Sequence, residues 1–166
     1  AHIPEPVDLV LLIVPPSDIL KVLQACGKNG AKVGIVITAG FSEVSHDGRK
    51  VEEEIVRGAR SLGMRLVGPN CQGIVTIESH RLYAHMPPQF PASGPLGVVS
   101  QSGNLATSII ELANPLYLGF SRIISSGNEA DLQTIDFLEY LAEDPQTVVV
   151  LSYLEGIKDG EKFFRT

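Results

Sequence analysis

The sequence lacks the features that would announce several large classes of protein. It holds only two cysteines, Cys26 and Cys71, too few for a disulfide framework and without metal-ligand spacing. Its longest purely aliphatic run, Leu9 to Val14, lies between Asp8 and Pro15 and falls far short of the roughly 20 apolar residues a membrane span needs. The opening residues show no basic stretch leading into an apolar one, so no export signal is expected. A reducing cytoplasm is the predicted compartment. No basic patch is evident in a chain of formal charge −6, so neither nucleic acid nor membrane is an expected partner. There is no solenoid-length repeat and no low-complexity tract. Nor does any G-x-G-x-x-G follow a strand with an acidic residue about 20 positions on, which argues against a dinucleotide-dependent dehydrogenase.

What is present is a regular alternation of strand and helix patterns over 166 residues, 44% hydrophobic and 19% charged. The apolar run Val7–Val14 reads as a strand buried on both faces. Pro15-Pro16-Ser17-Asp18 ends it and starts a helix, which stops near Gly27–Gly30. Val33–Ile37 is a second strand, Val51–Leu62 a helix with the acidic start Glu52-Glu53-Glu54, and Arg65–Val67 a third strand. The proline-rich segment Arg81–Pro95 reads as a junction. After it come strands at Leu96–Val99, Gly119–Ile124 and Val148–Leu154. Helices are expected at Gly103–Ala113, at Thr134–Glu143 and from Lys158 onward. The chain therefore reads as two parallel α/β domains, residues 1–92 and 93–166. Charge divides with them: the first holds nine basic and nine acidic residues, the second four and ten.

Open parallel sheets bind ligands beyond the carboxyl ends of their strands, so the strand-to-loop junctions are where chemistry is expected. Ser100-Gln101-Ser102-Gly103-Asn104 ends a strand in a polar glycine turn before a helix. Amides at that helix start suit a phosphate, although an ordinary serine cap has the same pattern. Thr38-Ala39-Gly40-Phe41-Ser42-Glu43 is a second glycine turn, able to admit a nucleotide or pantetheine chain, or simply a loop that needs Gly40. Gly68-Pro69-Asn70-Cys71-Gln72-Gly73 is a rigid loop that can present the Asn70 amide as a carbonyl-polarising donor. No histidine is placed by sequence to activate Cys71, which reads better as a small, semi-buried wall residue. Glu155 follows an apolar strand directly, where a carboxylate can orient an imidazole or simply sit in solvent. His2, His46, His80 and His85 form no metal pattern and read as surface residues, and no metal site is expected.

In order along the chain, Val67-Gly-Pro-Asn-Cys-Gln-Gly-Ile74, Val98-Val-Ser-Gln-Ser-Gly103, Ser126-Gly-Asn-Glu-Ala-Asp131, Phe137-Leu-Glu-Tyr-Leu-Ala-Glu-Asp-Pro145 and Tyr153-Leu-Glu-Gly-Ile-Lys-Asp-Gly160 resemble the ADP-forming acetyl-CoA synthetases. These are relatives of the succinyl-CoA synthetase alpha subunit. The resemblance implies a Rossmann-like CoA-binding domain followed by a flavodoxin-like domain. It also implies an acid–thiol ligase that interconverts acyl-CoA, phosphate and ADP with acid, CoA and ATP through a phosphohistidine. CoA would lie against Val14, Pro15, Thr38, Ala39, Gly40, Phe41 and Glu43. Cys71 and a catalytic Asn70 would stand near the thioester, Ser102, Gly103 and Asn104 would hold phosphate, and Glu155 would orient the phosphohistidine. ADP or ATP with magnesium would sit on an ATP-grasp partner, a beta subunit or a fused domain, in an oligomeric enzyme. The family's first strand with its glycine-rich CoA loop, and its phosphorylated histidine, are expected beyond Ala1 and Thr166, so the chain is read as an inactive fragment. The alternative is a non-catalytic CoA- or acyl-CoA-sensing module of a protein acetyltransferase.

Overall fold

A computed structural model describes residues 5–77, 81–87 and 90–166; His2 and His80 lie outside them. The chain divides into two compact units. The first runs to Cys71 and takes back a later stretch, Asn128–Leu132; the second comprises Gln72–Gly127 and Gln133–Thr166.

The first unit is built on a three-stranded parallel sheet of β1 (Leu9–Leu12), β2 (Val33–Val36) and β3 (Arg65–Val67), in that order. Leu9 pairs with Val33, and Val33 with Arg65. Helix α1 (Pro16–Lys28) starts on a proline, whose fixed φ suits a first turn, with Asp18 at its positive end and Lys28 at its negative end. Helix α2 (His46–Ser61) begins five residues before the Val51 start expected from periodicity. The cause is local: the Ser45 side chain accepts from the Gly48 amide at 3.1 Å, a cap that makes the polar stretch after it helical. Leu12, Ile19, Leu23, Val36, Phe41, Ile55 and Leu66 close the core between sheet and helices. Glu52, expected in a solvated first turn, lies instead within α2. It is 5% exposed, with its carboxylate turned inward to the Ser42 hydroxyl at 2.8 Å. His46 opens the helix on the surface.

Asn128–Leu132 completes this unit by running along the free edge of β3. The Leu132 amide donates to the Leu66 carbonyl, the Ala130 amide to Gly68 and the Asn128 amide to Pro69, at 3.1, 2.9 and 2.9 Å. Asp131 locks the segment. Its side chain is fully buried and accepts from the Leu66 amide at 2.8 Å, from Arg65 Nε at 2.9 Å and from Arg60 Nη2 at 2.6 Å. Burial alone would raise that carboxyl's pKa, but the Arg65 and Arg60 guanidinium groups and the Leu66 amide outweigh it and hold the group below its ordinary value.

The second unit carries a mixed five-stranded sheet. Its strands are β4 (Gly73–Thr76), β5 (Leu82–His85), β6 (Ser93–Ser100), β7 (Phe120–Ser125) and β8 (Val149–Tyr153), in the order β5-β4-β7-β6-β8. Strands β6, β7 and β8 run parallel, whereas β4 is antiparallel to both β5 and β7. Strands β4 and β5, read from sequence with the first domain, thus pair antiparallel as part of the second sheet, and the proline-rich segment contains β5 with its half-buried His85. Helix α3 (Gly103–Ala113) lays Ala106, Ile110 and Ala113 on Val75, Val98, Phe120 and Ile123. Helix α4 (Thr134–Glu143) starts in a capping box: Asp136 accepts from the Gln133 amide at 2.9 Å. A short α5 (Gly160–Arg165) follows β8. No helix of the described residues is long and apolar enough to cross a membrane.

Candidate functional site

In the first unit, the residues expected to meet CoA gather where β1 and β2 end. The Thr38 hydroxyl donates to the Val14 carbonyl at 2.7 Å and ties the two strand ends together. Pro15 caps α1 from an exposed position beside Val14, and Ala39 and Gly40 are exposed. Gly40 takes φ +108, and its amide meets the Glu43 carboxylate at 2.5 Å. The Phe41 amide reaches the same carboxylate at 3.2 Å, but its ring is wholly in the core, so the residue offers a ligand only backbone. Burial would raise the Glu43 pKa, yet the Gly40 amide and the Asn128 side chain, with further backbone donors, bring it below its usual value.

The Gly68–Cys71 loop packs on the same unit. Gly68 adopts φ +95, and a Cβ there would stand 2.5 Å from the Val36 carbonyl oxygen, so only glycine fits. Cys71 is 4% exposed and its thiol donates to that same carbonyl at 3.4 Å, the setting of a wall residue rather than of an activated nucleophile. Asn70 is exposed and left-handed, φ +56, with its amide on the Thr38 carbonyl at 3.0 Å. Its side-chain Nδ2 donates to Asn128 Oδ1 at 3.2 Å. Asn128 Nδ2 in turn contacts Glu43 Oε2 at 2.5 Å and Glu52 Oε1 at 2.6 Å. Two carboxylates therefore set the Asn128 amide, and the Asn128 oxygen faces Asn70. The sequence assigns no role to Asn128 or Glu52. The only signal for Asn128 is its place in Ser126-Gly-Asn-Glu-Ala-Asp131, and for Glu52 there is none, because three consecutive glutamates look alike.

In the second unit, β6 and β8 are neighbours with Ser100 opposite Tyr153, so the turns that follow them leave the sheet side by side. One turn starts α3. Ser102 is its cap, accepting from the Leu105 amide at 3.3 Å, and its O–H is left as a donor. The Gly103 and Asn104 amides, first and second in the helix, have no carbonyl four residues back to bond. Gln72 packs beside them: a Cβ on Gly103 would stand 2.6 Å from Gln72 Cγ. The Gln72 carboxamide is held by the Thr107 hydroxyl at 2.6 Å and reaches Asn104 Oδ1 at 3.4 Å. The other turn carries Glu155, exposed. Gln101 joins the two turns: its Oε1 accepts from the Glu155 amide at 2.6 Å and the Gly156 amide at 3.0 Å, and its Nε2 donates to the Gly156 carbonyl at 2.8 Å. An anion-suited helix start and a carboxylate-bearing turn thus share one sheet edge. Gln101 is legible in the sequence only as a letter between two serines. Among the described residues no cluster of three or more His, Cys, Asp or Glu is placed to hold a metal.

Comparison with known proteins agrees with this architecture. Residues 1–77 match the CoA binding domain model and residues 93–166 the succinyl-CoA ligase like flavodoxin domain model. The alpha subunit of acetate–CoA ligase (ADP-forming) I from Pyrococcus furiosus is 39% identical over 98% of this chain and 35% of its own length. Acetate–CoA ligase (ADP-forming) I from Archaeoglobus fulgidus is 41% identical over 98% of this chain and 24% of its own. Among solved structures, the apo dinucleotide-forming acetyl-coenzyme A synthetase 1 of Candidatus Korarchaeum cryptofilum superposes with a TM-score of 0.93 at 40% identity, over 99% of this chain and 36% of that one. The chain thus spans about a quarter to a third of the length of these relatives. All carry ligase or synthetase names, which lends nothing to the sensing alternative. With both domain models matched in sequence order, the chain belongs to the ADP-forming acetyl-CoA synthetase family and carries its CoA-binding and succinyl-CoA ligase like flavodoxin domains.

Proposed function

We propose that the protein bearing this chain is an acid–thiol ligase interconverting acyl-CoA, phosphate and ADP with acid, CoA and ATP. In this reading the first unit binds CoA at Val14, Pro15, Thr38, Ala39, Gly40, the Phe41 backbone and Glu43. Asn70 polarises the thioester carbonyl beside the Cys71 wall. Phosphate rests on the Gly103 and Asn104 amides with the Ser102 hydroxyl donating to it. Its attack on the thioester carbonyl breaks the C–S bond and releases CoA. The acyl phosphate then yields its phosphoryl group to a histidine outside this chain as the P–O bond to the carboxylate breaks, and ADP on an ATP-grasp partner with magnesium takes it up. Glu155 accepts the free ring N–H of that histidine and stabilises the phosphorylated form. A cytoplasmic enzyme follows from the same reading, because CoA and nucleotide are both plentiful there.

The observation that carries the reading is the shared edge of β6 and β8, where an anion-suited helix start lies beside a carboxylate turn. A phosphoryl group on an imidazole needs both: donors for its oxygens and an acceptor for the distal nitrogen. One relative, the Korarchaeum synthetase, has been solved in complex with phosphate and ADP. The test is Glu155→Gln in the full-length protein. We expect phosphohistidine formation from acetyl phosphate to fall roughly 100-fold, the order seen when a preorganised electrostatic partner is removed, with secondary structure unchanged. Phosphorylation at the wild-type rate rejects the assignment.

A further inference from the structure

The three contacts of Gln101 form a closed clamp on the turn that carries Glu155. Its backbone amide continues the ladder onto the Tyr153 carbonyl at 3.1 Å, so main chain and side chain grip successive parts of the same turn. One carboxamide then satisfies the Glu155 and Gly156 amides and the Gly156 carbonyl together. The turn is otherwise open: residues 155–160 are exposed, and a Cβ built on Gly156 would find nothing within 4 Å. Glu155 also lies just beyond β8, which among the described strands pairs only with β6 at the edge of the sheet. A glutamate on so open a turn gains no fixed direction from packing. The carboxamide of Gln101 fixes the backbone of the turn, and because Gln101 immediately precedes the Ser102 cap, it fixes it relative to the start of α3.

We propose that Gln101 is a positioning residue that sets the Glu155 carboxylate against the α3 amide cluster, touching neither phosphate nor imidazole itself. This rests on the assignment of Glu155 given above. The neutral carboxamide suits the task. It offers an acceptor to two N–H groups and a donor to a carbonyl, which neither a carboxylate nor an ammonium group can do at once. It also adds no charge beside an anionic intermediate.

The test compares Gln101→Ala, Gln101→Glu, Glu155→Gln and the Gln101→Ala/Glu155→Gln double variant in the full-length protein. Acetyl-CoA, ADP and phosphate serve as substrates, and peptide-level hydrogen exchange across 154–157 is followed in parallel. We expect Gln101→Ala to speed exchange of the 155 and 156 amides. It should lower kcat roughly 10- to 100-fold, as misplacement of a reacting group by about 1 Å does, while KM for acetyl-CoA changes less than about threefold. Gln101→Glu, which keeps the acceptor and loses the donor, should fall between wild type and Gln101→Ala. Removing Gln101 from the Glu155→Gln protein should cost almost nothing more, because the two act as one unit. Unchanged exchange in Gln101→Ala overturns the clamp whatever activity does. Faster exchange with losses that multiply in the double variant overturns the positioning role while leaving Glu155 in place. A Glu155→Gln protein with full activity overturns the Glu155 assignment, and the positioning role falls with it.

Discussion

The two units hold their loops by different physical means. In the first, the turns are set by charge and by backbone: Glu43 on the Gly40 and Phe41 amides, Glu52 and Glu43 on Asn128, Asp131 between two arginines, and Gly68 against a carbonyl. In the second, the corresponding turns are set by neutral carboxamides, Gln72 beside Gly103 and Gln101 beneath Glu155. Carboxylates bind amides strongly but hold a proton-dependent grip. Carboxamides grip more weakly, and protons do not loosen them. On the proposed function, the contrast has a reason. A unit that binds a polyanionic carrier tolerates buried acids best where they are already neutralised. A unit that accepts a phosphoryl group gains by keeping fixed charges other than the Glu155 carboxylate away from it.

The sharpest way to break this contrast is at the two glycines. Gly68→Ala drives a Cβ onto the Val36 backbone at a left-handed φ. Strain and overpacking together should lower the stability of the first unit by about 3 kcal/mol, seen as a shifted urea midpoint. Next in size is Asp131→Ala, which orphans the buried Leu66 amide and should cost about 1–3 kcal/mol. Arg60 and Arg65 are half-exposed and within reach of water, so a much larger loss would mean that the segment carries more than this lock. A third measurement follows stability against pH. Asp131 and Glu43 both have folded pKa values below their ordinary ones. Their contribution is therefore complete above the unfolded-state values near 4 and drains away as pH falls through the folded ones. Acid titration of the melting temperature should show a smaller drop in Asp131→Asn than in wild type; an identical drop would remove Asp131 from the acid response. The smallest effect belongs to Gly103→Ala. There the obstacle is Gln72, a side chain that can swing aside by giving up its Thr107 and Asn104 contacts, so a loss near ~1 kcal/mol is expected. A loss equal to that of Gly68→Ala would erase the distinction between the two units.

Much of the architecture was legible because local signals were strong. Gly103–Ala113 and Thr134–Glu143 were bounded correctly, since Ser102 and the Gln133–Asp136 box mark helix starts without help from tertiary contacts. Strands β4 and β5 were not, because four-residue strands flanked by glycine and proline carry too few alternations to register, and β4 depends on pairing with the distant β7. The early start of α2 was hidden by Gly48, which looks like a breaker yet sits buried in the helix. The candidate site divided the same way. Glycine turns and the acid after β8 announced themselves by type and place. Asn128, Glu52, Gln72 and Gln101 did not, because their importance lies in which distant amide or carboxylate they meet.

The return of Asn128–Leu132 to the edge of β3 has a practical consequence for dissecting the protein. A piece cut near Cys71 would keep every described strand and helix of the first unit and still lack part of it. It would expose the β3 edge, leave two arginines without their acid and take from the Asn70 side chain its oxygen acceptor. Autonomy here belongs to a discontinuous stretch of gene, so a severed first half should be recoverable only when a peptide carrying Asn-Glu-Ala-Asp-Leu is supplied in trans.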